Sequence, residues 1–136
     1  MPPAWIDTAG GVPAVVAYIV AQARNPVGGL VVMPEVFNVT NRDLIIALVA
    51  RYRVPAIYAT RFYAESGGLI TFGVDCAEQF RQAAGYIDRV LKGTMPADLS
   101  VQQATKFEFV INLKTANALG LTIPGKLLAT ADDVIE

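Results

Sequence analysis

Asn38, Arg61 and Asp75 are the side chains best suited to fixing the charged ends of a small polar molecule, and Phe37, Phe62 and Tyr63 are rings beside them in the sequence. Rings cover the apolar part of an organic ligand, while an amide, a guanidinium or a carboxylate holds its polar groups. Other chemistry is poorly supplied. The 136 residues contain no histidine, which removes the commonest general base, the usual metal ligand and every imidazole triad. Glu35, Glu65 and Asp75 offer the acid and base of an α/β enzyme as the alternative reading, but their spacing sets no distance between them. No glycine-rich phosphate loop links a strand to a helix, so no nucleotide, cofactor or metal is expected. With 11 basic and 12 acidic residues, the chain has no electrostatic footprint for nucleic acid or an anionic membrane.

Each candidate also has a structural role open to it. Thr40 and Asp75 stand where helix caps belong, Phe37 and Phe62 suit a core edge, and Arg61 and Glu65, four apart, suit a solvated pair. Cys76 is the single cysteine and is expected to be a buried thiol.

These residues must be positioned by the elements around them. Val12, Val16, Ile19, Val20 and Ala23 repeat at helical spacing after Gly11 and stop at Asn25-Pro26. Leu30 to Met33 is a short apolar run between breakers, as expected of a strand covered on both faces. Thr40 with Asp43 predicts a capped helix over 41–52, and 54–58 predicts the next strand. Residues 59–68 read as a polar and aromatic connection, 69–72 as a strand, and Asp75 with Glu78 as the capped start of a helix ending at Lys92-Gly93. Residues 94–106 read as a hinge or linker. A strand over 107–111, a helix capped by Asn112 and ended by Gly120, and a short helix after Pro124 complete the chain.

That order predicts an α/β fold with a mainly parallel open sheet flanked by helices. In such sheets ligands gather at the carboxyl ends of the strands, which here are 34–41, 59–68 and 73–75. Only four strands are left to share many apolar helices, so the chain looks incomplete for its architecture. The opening MPPAWIDTAGG lacks a signal-peptide pattern, and the longest apolar stretch, Val12 to Ala21, is too short to cross a bilayer.

GGLVVMPEVFNVTNRDLIIALVARYRVPAIY, FYAESGGLITFGVDCAEQFRQAAGYIDRVLKGTMPADLSVQQ and FVINLKTANALGLTIP resemble the C-terminal part of ABC-transporter substrate-binding proteins. The resemblance is to the periplasmic type I family, some members being similar to tryptophan- and tyrosine-binding proteins. It implies a partial type I periplasmic-binding-protein fold, with 12–60 in one lobe, 68–93 in the other, a hinge or linker at 94–106 and C-terminal strand and helices over 107–136. It further implies binding of a small-molecule solute such as an amino acid without turnover, an ABC permease as partner and a periplasmic location. Asn38 carries over from a polar pair typical of the family, and Asp75 matches by position. Where a further acid is typical, this sequence reads Ala59-Thr60-Arg61. A homo-oligomer, with the segment after the hinge exchanged between copies, is the expected assembly.

Overall fold

The computed structural model describes residues 10–136, so the leader reading rests almost wholly on residues outside that range. The chain divides into two compact units. Among the described residues, 10–73 together with 108–136 form a sheet unit, and Val74–Phe107 form a helical unit.

The sheet unit opens with helix α1 (Gly11–Ala23) and strand β1 (Leu30–Val32), followed by short helix α2 (Val36–Thr40), helix α3 (Arg42–Tyr52) and strand β2 (Ala56–Tyr58). Helix α4 (Arg61–Glu65) leads to strand β3 (Ile70–Val74). The helical unit contains α5 (Cys76–Leu91) and a 3-10 turn at Pro96–Asp98. Strand β4 (Phe107–Asn112), helices α6 (Leu113–Leu119) and α7 (Gly125–Leu128) and strand β5 (Asp133–Ile135) return the chain to the sheet.

The sheet order is β1-β2-β3-β4-β5, with β1, β2 and β3 mutually parallel and β4 parallel to β5. Asn112 N–H donates to Leu69 O at 2.9 Å and the Phe72 ring meets Phe109, so β4 runs back along β3. The expected α/β class and open, mainly parallel sheet are present. The strand over 70–74 shares this sheet with β1 and β2, so the sheet itself is not divided between residues 60 and 68.

One face of the sheet carries the core. Register sets Leu30 beside Ala56 and Val32 beside Tyr58, and the period of two turns all four to the same side. Val15 and Ile19 of α1 and Ile45 and Val49 of α3, spaced one helical turn apart, close over them. Complete burial of Ile19 and Ile45 contributes about 2 kcal/mol each. The opposite face is not closed. Val31, Ile57 and Ile70 form a half-exposed row beside a hollow of about 290 Å³. A strand covered on both faces was expected at Leu30–Met33, and Val31 stays only half-buried there.

Five local expectations are corrected. Thr40 does not cap the helix that follows; it ends α2, and its hydroxyl donates to Val36 O at 2.8 Å while Asn41 precedes α3. The connection over 59–68 contains α4. Five strands are present among the described residues where four were expected, because Asp133–Ile135 pairs with β4. Strand β1 ends at Val32, and Met33 is exposed. Cys76 is exposed, since it occupies the first turn of a helix that buries none of its residues. The expected caps at Asp75 and Asn112 are present, accepting from Glu78 N and Thr115 N, and Gly93 and Gly120 take the left-handed conformation that ends α5 and α6.

Candidate functional site

In the sheet unit, the segments after β1 and β2 fold into α2 and α4, and these short helices fix the candidate side chains. Asn38 lies in α2 and is only 1% exposed. Its Nδ2 donates to Met33 O at 3.1 Å, tying α2 back to the end of β1, while its Oδ1 has no partner. Phe37 is half-buried against the core.

Helix α4 presents a column of rings. Tyr63 stacks on Tyr58 at 4.7 Å and on Phe62 at 4.8 Å, and the Arg42 guanidinium lies 5.3 Å above the Phe62 ring. Each such contact adds about 0.5–1.5 kcal/mol beyond area burial. The column needs Gly68, where a Cβ would stand 2.8 Å from both the Tyr58 ring and Tyr63 O. Burial pushes the Tyr58 and Tyr63 phenols up from their ordinary value, so both remain neutral donors.

Five buried polar atoms of the sheet unit have no partner. They are Asn38 Oδ1, Tyr58 Oη, Thr60 Oγ1, Tyr63 Oη and Thr71 Oγ1, and Thr71 sits beside Tyr58 in the register. All five residues lie on β1–β3 or on the segments following β1 and β2. Buried hydroxyls and amides normally find a partner, so these atoms are hydrogen-bonding capacity left unused inside the sheet unit.

Arg61 is differently committed. It donates to Glu65 at 2.8 Å, to Glu108 at 2.6 Å and to Asp133, and these carboxylates raise its pKa. In return Arg61 holds the Asp133 carboxyl below its ordinary range. The solvated pair read at Arg61 and Glu65 is therefore part of a four-residue cluster joining α4, β4 and β5.

Asp75 belongs to the helical unit. One carboxylate oxygen caps α5 and the other pairs with Lys106 at 2.8 Å, so Lys106, and then the Glu78 amide, hold its pKa below the ordinary value. The structure thus brings Phe62 and Tyr63 together, gives Arg61 and Asp75 full sets of partners, and keeps Asn38 half satisfied. Tyr58 and Arg42 complete the platform and were read only as strand and helix residues. The aromatic spacing at 58, 62 and 63, a strand end followed by one helical turn, is the signal that marks Tyr58. Among the described residues no group of acids and cysteine is arranged to hold a metal, and no helix is long and apolar enough to cross a membrane.

Residues 12–135 match the family described as ABC transporter substrate binding protein. The chain belongs to that family. Among solved structures, this substrate-binding family member resembles a conserved domain protein from Vibrio cholerae O1 biovar El Tor, at TM-score 0.77 and 27% identity, over 90% of this chain and 41% of that one. It also resembles an ABC domain in complex with L-Trp from Streptococcus pneumonia, at TM-score 0.79 and 25% identity, with the same shares covered. A ligand-free, open substrate-binding protein with adhesive properties from Clostridium difficile shares the fold at TM-score 0.62 and 17% identity, again over 90% and 41%. The chain therefore spans about two fifths of the length of these solved relatives. Comparison with curated proteins finds no match.

Proposed function

We propose that this chain supplies part of the solute-binding surface of an ABC importer, taking a small polar organic solute such as an amino acid without chemical turnover. The observation that carries the reading is family membership over residues 12–135, and the L-Trp complex of a similar protein supports an amino-acid solute. On this reading Phe62, the partly exposed end of the ring column, meets the solute's apolar part, while the buried Tyr58, Tyr63 and Asn38 hold α2 and α4 in place behind that surface. Phe37 borders that surface, and Arg61 fixes α4 through its carboxylates. Asp75 serves the solute only if it gives up Lys106, so its first role is the α5 cap.

An ABC permease is the partner, and the periplasm is the place in which such a component works. The ligand drives transport only by favouring one conformation of the whole receptor, since equal affinity for two states shifts neither. Self-association of this chain belongs to the same reading, because Val31, Ile57 and Ile70 on the sheet and the apolar side of α5 are uncovered in one copy.

A thermal-shift screen with the common amino acids and small carboxylates tests the assignment. A saturable rise in Tm with an aromatic amino acid, lost in Phe62→Ala and in Asn38→Ala, is expected. Turnover of any hit, or a shift that both variants retain, overturns it.

A further inference from the structure

Two arginines open helices of the sheet unit, Arg42 in α3 and Arg61 in α4, and their partners differ. Every guanidinium nitrogen of Arg61 is engaged, Nε with Glu65, Nη1 with Glu108 and Nη2 with Asp133. Arg42 makes one such bond, from Nε to the exposed carboxylate of its neighbour Asp43 at 3.1 Å. Among the described residues its Nη1 and Nη2 meet no acceptor. A single exposed pair of this kind holds a side chain weakly.

Arg42 also stands at the end of the ring column. Tyr63 stacks on the Phe62 ring at 4.8 Å and the Arg42 guanidinium lies 5.3 Å from the same ring centre, so the two take opposite faces. Tyr58, Tyr63, Phe62 and Arg42 thus form one stack running from the buried sheet to the surface. The tyrosines are buried, Phe62 is half-buried and the Arg42 side chain is 34% exposed. A flat apolar group that reaches the outer face of Phe62 meets the guanidinium in the same step.

We infer that Arg42 recognises a carboxylate on the solute, which makes the solute class an apolar, ring-like group joined to a carboxylate. The inference rests on the solute reading above and deepens it. Two unspent terminal nitrogens present parallel N–H donors that match the two oxygens of a carboxylate, a fit that an amine or an amide does not offer. A solute ring against Phe62 also shields the pair from water, which strengthens it. Arg61, the arginine that the sequence marks first, cannot take this role without giving up one of its carboxylates.

Isothermal titration calorimetry of the whole chain with three probes tests this, with circular dichroism confirming that each variant keeps its fold. The probes are L-phenylalanine, 3-phenylpropanoate, which lacks the amine, and phenethylamine, which lacks the carboxylate. Both carboxylates should bind about tenfold more tightly than phenethylamine. Arg42→Ala should weaken the two carboxylates about tenfold and leave phenethylamine unchanged or slightly tighter, and Arg42→Lys, which keeps the charge but not the fork, should fall between. Equal weakening of all three probes by Arg42→Ala, or a native chain that prefers the amine, overturns the inference and leaves the solute reading standing. Binding of none of the three, with a hit elsewhere in the thermal-shift screen, also overturns the inference alone. No hit with any compound overturns the solute reading and this inference with it.

Discussion

Asn112 joins three elements through one buried side chain, and replacing it should loosen the platform from a distance. Its Oδ1 accepts from Thr115 N at 3.0 Å, capping α6, and its Nδ2 donates to Ala64 O at 2.9 Å, holding the end of α4. Asn112→Ala removes both. Loss of the cap costs about 1 kcal/mol. Ala64 O keeps its bond from Gly67 N at 3.1 Å, so the second loss is the net value of one hydrogen bond, about 1 kcal/mol, and not that of an orphaned carbonyl. The sum is about 2 kcal/mol. Asn112→Ser keeps a capping oxygen but is too short to reach Ala64, so it should lose only about 1 kcal/mol. Urea unfolding followed by far-UV circular dichroism reads the totals, and hydrogen exchange of the amides over 61–67 reads whether α4 is the element released. A loss under about 0.5 kcal/mol in the alanine variant, or equal losses in both variants, refutes the two-bond reasoning.

Three further outcomes are expected. Arg53, which ends α3 at φ 53° where glycine is usual, should give a variant about 1 kcal/mol more stable as Arg53→Gly, seen as a higher urea midpoint; an unchanged midpoint contradicts this. Arg61→Met should cost about 1 kcal/mol at low ionic strength, discounted for the arginine's partial exposure, and less in high salt, because Glu65, Glu108 and Asp133 then repel one another; a salt-independent loss would point to packing instead. Asp75 has a depressed folded pKa, so its contribution is complete above the ordinary carboxylate value of about 3.9 and is lost as pH falls through the lower folded value. Protection of the Glu78 amide should therefore hold from pH 7 to about 5 and drop at more acid pH, and Asp75→Asn should flatten that acid limb.

What was legible in the sequence was what local chemistry decides. Asp75 before α5, Asn112 before α6, Gly93 and Gly120 after them, and the apolar run at Leu30–Val32 each carry their signal within a few residues. Helices α2 and α4 were not legible, since five residues cannot hold a helix alone and these two persist through Asn38 and Asn112 bonds made to other segments. Strand β5 offers only Val134 and Ile135 as apolar residues and exists through its pairing with β4. Arg61 could be paired with Glu65 from spacing alone, but Glu108 and Asp133 reach it only after the chain has folded back. The openness of Cys76 and of the apolar side of α5 was hidden for the opposite reason: an apolar pattern says that a face wants cover, and it does not say whether the same chain supplies that cover.

The return of β4 along β3 has a topological consequence. Leu69 with Asn112 and Phe72 with Phe109 are rungs of what would be an ordinary hairpin, and the roughly 34 residues of the helical unit are its loop. Closing a loop of that length instead of a four-residue turn costs only about 2 kcal/mol of chain entropy, since the penalty grows with the logarithm of length. The sheet can thus host a sizeable excursion between two of its central strands while keeping their register, and exchange of that excursion for a tight turn should leave the hairpin more stable than before.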